Sequence, residues 1–224
     1  MVEPTDAIIR LAASCICGSD LWPYRGDDDV DHTPMGHEYV GAVTEIGDEV
    51  KTLRVGDFVV GLLGILAARQ LGAERIIAMS RHADRQAIAR EFGATDIVEE
   101  RGDAGVARIK ERTGGYGAHS VIEAVGTQES MMQAIRATRP GGHIGYVGVS
   151  HDVSLDGLEL FFSGVHLHGG PAPVRRFLPE LIQLIWDRRI DPGKVFDLTL
   201  PLEDAVEGYR AMDERRATKV LLTV

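Results

Sequence analysis

Apolar residues follow two rhythms along this chain, and the change falls near residue 60. Ahead of it stand short strand-like runs broken by turns: DAIIRLAASCIC, EYVGAVTEIGDEV and LRVGDFVV, with the acidic loop RGDDDVDHTP between the first two. Val, Ile and Thr punctuated by glycine predict small antiparallel or barrel-like β structure. Beyond residue 60, helix and strand alternate. Leu62–Leu71 reads as a helix stopped by Gly72, RIIAMS as a buried strand, and ADRQAIAREFG as a helix with Gly93 in the C-terminal stop position. The strands DIVEE, HSVIEAVG and HIGYVGV follow, separated by the helices AGVARIKERTGG and ESMMQAIRATRPGG, the second closed by Pro-Gly-Gly; VHLHGG is a further strand. A helix over Val174–Arg189 carries Val174, Leu178, Leu181 and Ile185 on one stripe, with Pro179 expected to bend it or mark its true start. FDLTL, the helix EDAVEGYRAMDERRA and the strand KVLLTV complete the pattern.

Strands that are apolar throughout, joined by helices, imply a parallel sheet covered on both faces. Right-handed crossovers then give an α/β fold with a doubly wound, Rossmann-type sheet that binds ligands at the carboxyl ends of its strands. The expected organisation is a β segment over 1–56, a dinucleotide-binding domain over 57–195, and a C-terminal segment over 196–224.

Composition narrows the classes. The chain has 224 residues, 44% hydrophobic and 26% charged, enough for one large domain or two modest ones. No apolar run reaches the roughly 18 residues that span a bilayer, and the acids in MVEPTDAIIR do not resemble a signal peptide. A net charge of −10 argues against binding nucleic-acid backbones or anionic membranes. Two cysteines, Cys15 and Cys17, lie too close in sequence to close a useful disulfide loop. They fit a reducing compartment, and a cytoplasmic protein is expected.

GDFVVGLLG, at Gly56–Gly64, is close to a dinucleotide-binding turn. Gly61 and Gly64 can bring the backbone near a pyrophosphate at a helix N-terminus, and Val59 and Val60 would serve as the first strand. Phe58 stands where the second glycine of G-x-G-x-x-G would fall, and packing alone also produces glycine-spotted helices. The end of the next strand is more telling. NAD-selective sites place an acid there, whereas here stand Ser80, Arg81 and His82, with Arg85 following. Arg81 can pair with a 2′-phosphate, so NADP is favoured over NAD, although a solvated helix entrance would look the same. Upstream, ICGSD and GHE set Cys17, Ser19 and Asp20 against His37 and Glu38. Thiolate with imidazole suits Zn²⁺, and bound zinc lowers the pKa of an alcohol; a buried Cys and a strand-end His are also common structural residues. Trp22 and Tyr24 can line a pocket or simply pack.

Taken in order, CGSD, GHE, VGAV, VGD, GLLG, GAERIIAMSRH, FGATDIV, VIEAVGT, RPGGHIGYVGV and KVLLTV resemble the zinc-dependent medium-chain alcohol dehydrogenases. The resemblance implies a truncated GroES-like catalytic domain ahead of the Rossmann domain, and a C-terminal segment, 196–224, whose last strand Lys219–Val224 returns to it. It implies Cys17 and His37 as catalytic-zinc ligands, with Glu38 a carboxylate able to approach the metal. Ser19 would begin a proton relay and Asp20 would hold the ligand histidine. Ala124, Val147, Gly148 and Val149 would border the nicotinamide of NADP(H). It further implies a small alcohol, aldehyde or ketone as substrate and a homodimer or homotetramer as the assembly. The departures are internal. Between Val60 and Gly61 the family's four-cysteine lobe, third catalytic ligand and first Rossmann strand are missing, so GDFVVGLLG reads as a splice in which GDFVV imitates the lost strand. Two expectations follow: an NADP-dependent, zinc-assisted alcohol dehydrogenase-like oxidoreductase, or an inactive shortened relative that holds nucleotide or acts as an oligomeric scaffold.

Overall fold

The structure, a computed structural model, describes residues 7–27, 36, 38–46, 64–150, 152–171 and 173–224. The chain divides into two compact units, Met1–Leu62 with Val174–Val224, and Leu63–Pro173. None of the helices among the described residues is long and apolar enough to cross a membrane.

The first unit is built on a four-stranded sheet. Strand β1 (Ala7–Cys15) pairs antiparallel with β2 (Glu38–Ile46), setting Cys15 opposite Glu38. In the second unit come α2 (Gly64–Gln70), β3 (Ile77–Met79), α3 (Ala83–Glu91), β4 (Asp96–Val98), α4 (Gly102–Arg112), β5 (Ala118–Glu123), α5 (Gln128–Ala137), β6 (Thr138–Tyr146), α6 (Gly157–Ser163) and β7 (His166–Gly169). The first unit resumes with α7 (Val174–Trp186), β8 (Leu198–Pro201), α8 (Ala205–Asp213) and β9 (Val220–Thr223); a short helix α1 (Leu21–Arg25) follows β1. Its sheet order is β2-β1-β9-β8, so the last strand lies beside the first, with Ala13 opposite Thr223. Ile16, Leu21, Ala211, Met212, Ala217, Val220 and Leu222 close over one core. The sequence set Cys15 and Cys17 on one strand, but β1 ends at Cys15 and Cys17 opens a 3-10 turn. Pro179 lies inside α7 and does not mark its start.

In the second unit the expected alternation is present, and its strands are parallel. They form two sheets among the described residues, β3-β4 and β5-β6-β7. The segment Asp57–Val60, expected as the opening strand beside Ile76 and Val121, lies outside the described residues. Helix α5 contributes to the core under each sheet. Val98, Val106, Ile109 and Ala137 form a core that takes in Ile77 and Met79 of β3 and Ala118 of β5. A second core of Met131, Ala134, Ile135 and Ile144 lies under β5, β6 and β7. Gly93 adopts φ +111 beyond α3, the left-handed stop expected of it. The Pro-Gly-Gly after α5 behaves differently from its reading: β6 begins at Thr138 and runs through Pro140, Gly141 and Gly142. Thr138 pairs with Ala118, so strand pairing overrides the local helix-stop signal.

Asp96, at the start of β4, ties that strand to its neighbours. Its carboxylate accepts from Thr95 Oγ1 at 2.9 Å and from Arg112, and it forms an ion pair with Arg75 at 3.7 Å. The Thr95 hydroxyl first, with the two guanidiniums adding to it, holds the Asp96 pKa below the usual carboxylate value. A depressed pKa stabilises the fold above the unfolded value of about 3.9 and loses that contribution as pH falls through the folded pKa. The arginines are exposed, so the effect is at most about 1 kcal/mol. Denaturant titrations of Asp96→Asn are expected to show a shallower loss of stability below about pH 4 than the parent chain. Parallel curves would show that the carboxylate contributes nothing.

Candidate functional site

Two clusters hold the residues singled out from sequence, one in each unit. In the second unit they lie at the carboxyl ends of the parallel strands. Ser80 leaves β3 still bonded to β4, its N–H donating to Val98 O at 3.1 Å. The His82 N–H donates to Ser80 Oγ at 3.3 Å, and His82 then starts α3 as its N-cap residue. Arg81 is exposed and donates from Nε to Glu99 O at 3.3 Å. Arg85 lies half-buried on the first turn of α3. A residue not singled out in the sequence joins them. Arg101, the N-cap position of α4, donates from Nη1 to the same Glu99 carbonyl at 3.4 Å and to Glu100 O at 3.1 Å. Burial, and next the like charge of Arg81, lower the Arg101 pKa. Two guanidiniums therefore converge on one carbonyl oxygen where the tips of β3 and β4 meet. Glu99 and Arg101 look like ordinary loop charges in the sequence; only the pairing of β3 with β4 brings Arg101 to Arg81.

Gly64 opens α2, and a Cβ there would lie 3.3 Å from Ile122 Cδ1 of β5, so this helix start closely approaches the second sheet. Gly61 lies outside the described residues. At the ends of β5 and β6, Ala124 is exposed and Gly148 half-buried, and Val125, Val147 and Val149 stand 63%, 56% and 54% exposed. Three largely exposed valines on adjoining strand ends form an apolar shelf suited to a flat ring.

The second cluster belongs to the first unit. Asp20 is buried, and its Oδ2 accepts from the Cys17 N–H at 2.9 Å, closing the turn that presents the Cys17 thiol. Ser19 Oγ donates to Cys17 Sγ at 3.2 Å. Glu38 faces them across the β1–β2 pair. Its Oε2 accepts from Cys15 Sγ at 3.0 Å and pairs with Lys219 Nζ from the start of the last strand. Burial pushes the Glu38 pKa up, but the Cys15 thiol, Lys219 and the Cys17 thiol together outweigh it and leave the carboxyl lowered. Cys15 responds in the opposite sense: burial, and then its bond to Glu38, push its thiol up to about 12. Tyr209 is likewise pushed up to about 12, by burial and by the charges of Asp20 and Cys17. Tyr24 stacks on Tyr209 at 5.4 Å. Lys219 and Tyr209 were invisible as site residues in the sequence, because each is far along the chain from Cys17 and is brought near only by β9 and α8.

His37, one of the two expected zinc ligands, lies outside the described residues. Among the described residues, no group of three or more His, Cys, Asp or Glu side chains comes together as a metal site. The Glu38 oxygen that could face a cation already holds Lys219.

Residues 59–187 match the sequence profile of a family described as zinc-binding dehydrogenases. Along its length the chain is 27% identical to a probable zinc-binding alcohol dehydrogenase of Mycobacterium tuberculosis, the match covering 92% of this chain and 78% of that protein. It is 31% identical to an NADP-dependent isopropanol dehydrogenase of Entamoeba histolytica over 72% of this chain and 46% of that enzyme. The chain spans about half the length of the alcohol dehydrogenases of Cupriavidus necator that it matches. In fold it is similar to the alcohol dehydrogenase of Thermus sp. ATN1, with a TM-score of 0.83, 24% identity, and coverage of 100% of this chain and 94% of that one.

Proposed function

The chain belongs to the zinc-binding dehydrogenases, and on that premise we propose that it binds NADP(H) and transfers hydride between that cofactor and a small alcohol, aldehyde or ketone. The observation that carries the proposal is the convergence of Arg81 and Arg101 on Glu99 O at the tips of β3 and β4. Two guanidiniums held close against their own repulsion, with Glu129 offsetting only part of it, favour an anion, and a 2′-phosphate offers a charged group with several acceptor oxygens to two planar donor forks. Ser80 adds a hydroxyl beside them, and His82 and Arg85 extend the polar rim. Gly64, with Gly61, would bring the helix start to the pyrophosphate. The shelf of Val125, Val147 and Val149, with Ala124 and Gly148 between them, would take the nicotinamide. The Entamoeba relative is named NADP-dependent, which supports the same cofactor.

A bound NADP⁺ would supply the hydride acceptor for the alcohol carbon, and Ser19, where the resemblance starts the proton relay, would carry the hydroxyl proton away. Asp20 fixes the turn that carries both Ser19 and Cys17. The family resemblance assigns a zinc ion to Cys17 and His37 with Glu38 nearby, and such an ion would polarise the alcohol oxygen. The described residues do not by themselves fit it, since they bring no three donors together and Lys219 engages Glu38. That same ion pair favours a second reading, in which the chain holds nucleotide without turnover, as a scaffold. Both readings sit with a homo-oligomer in the reducing cytoplasm, where Cys15 and Cys17 stay free thiols.

Fluorescence titration with NADPH, paired with metal analysis of the purified chain, tests the proposal. Enhanced, saturable NADPH emission with zinc that is lost in His37→Ala is the expected result for the enzyme. NADPH binding without zinc or turnover selects the scaffold. No change in emission at any concentration overturns both.

A further inference from the structure

Glu123 is the last residue of β5 and is only 3% exposed. Its Oε1 accepts three hydrogen bonds, from Val125 N at 2.8 Å, Gly126 N at 2.9 Å and Ser130 Oγ at 2.8 Å. Its main-chain oxygen accepts two more, from Val147 N at 2.8 Å and Gly148 N at 3.3 Å. One residue thus holds both strand-end loops, the first by its side chain and the second by its backbone. The loops are pressed together beneath it. A Cβ on Gly126, which adopts φ +84, would fall 1.9 Å from Val149 O, and one on Gly148 would fall 2.5 Å from Gly126 N. The valines of the shelf are therefore exposed side chains on a backbone with almost no freedom.

Burying a carboxylate is costly unless its oxygens are satisfied. Here Oε2 is buried with no hydrogen-bond partner among the described residues. The three donors gathered on Oε1 and the two on the main-chain oxygen offset that cost, and together they fix the loops that carry the valines. We infer that Glu123 is a positioning residue: it sets the height and rigidity of the valine shelf, and thereby where a nicotinamide ring lies. The inference rests on the dinucleotide reading for the identity of the ring but not for the rigidity of the shelf. Binding sites work when such supports pre-organise the contact surface, because a ligand then spends no affinity on ordering it.

The test separates these two parts. Amide hydrogen exchange is measured without nucleotide at Val125, Gly126, Val147 and Gly148, and NADPH affinity is measured on the same proteins. Glu123→Ala is expected to speed exchange at Val125 and Gly126 by about tenfold or more and to weaken NADPH by a similar factor. Glu123→Gln keeps an acceptor oxygen in the same place, and should restore both to within about threefold of the parent. Exchange and affinity unchanged in Glu123→Ala would overturn the inference, and so would a Glu123→Gln chain as impaired as Glu123→Ala. Should Glu123→Ala fail to fold, Ser130→Ala removes one donor of the three and should give a graded, several-fold version of both effects; no effect there counts against the inference. A parent chain that never binds NADPH defeats the nucleotide reading, while the exchange rates still decide whether Glu123 holds the shelf.

Discussion

Arg81→Ala is expected to weaken NADPH binding by about tenfold to a hundredfold while leaving NADH within about threefold. The size follows from what a guanidinium gives a phosphate. A charge-assisted hydrogen bond contributes roughly 1.5–3 kcal/mol, and every 1.4 kcal/mol is about tenfold in affinity. The selectivity follows from position, because Arg81 stands beyond the end of β3, where the two dinucleotides differ by one phosphate. Arg101→Ala should act in the same direction. The double variant should lose less than the product of the two single losses, since each guanidinium now repels the other and removing one relieves its neighbour. Raising salt should weaken NADPH more than NADH in the parent and equalise the two in the variants. Equal losses for both nucleotides in Arg81→Ala would make Arg81 a solvated helix entrance.

How far the sequence could be read depended on the distance over which each feature is determined. The alternation after residue 72 was legible because apolar strand runs such as RIIAMS and stops such as Gly93 are local signals, and β3, α3, β4, α4, β5, α5 and β7 stand where they were read. The Pro-Gly-Gly after Arg139 misled for the same reason: locally it ends a helix, but Thr138 and His143 find partners on β5 and the segment becomes strand. Pro179 was expected to bend the helix or mark its start, and it lies inside α7, which already begins at Val174.

The site was less legible than the fold. Cys17, Ser19, Asp20 and Glu38 stand close in sequence order and in space, through the short turn after β1 and the Cys15–Glu38 register. Lys219 reaches Glu38 from 181 residues away, and no periodicity connects them. Arg101 was passed over because its meaning comes from a carbonyl shared with Arg81. Glu123 was passed over because VIEAVG reads as a strand with a stray acid, and only the three donors on Oε1 reveal what the acid holds.

Ile16→Ala is expected to lower the unfolding free energy by about 2–5 kcal/mol, the range for emptying a well-packed isoleucine site. Ile16 is 1% exposed and lies among Leu21, Ala211, Met212, Ala217, Val220 and Leu222. Its N–H also donates to Val220 O at 3.3 Å, so it anchors the return of the chain onto its first strand. The geometry at Gly208 of α8 offers an internal check. A Cβ there would sit 2.8 Å from Ile16 Cδ1 and 3.1 Å from Val220 Cγ1, too close for the parent core to accept without a shift. In the Ile16→Ala background that methyl group is gone. Gly208→Ala should then fill part of the void and add helix propensity of up to about 1 kcal/mol. The pair should therefore be less destabilised than the sum of the two single variants by roughly 1 kcal/mol or more, measured as a double-mutant cycle from denaturant midpoints. Strict additivity would mean that α8 does not bear on Ile16, and a loss below about 1 kcal/mol for Ile16→Ala alone would remove this residue from the centre of the core.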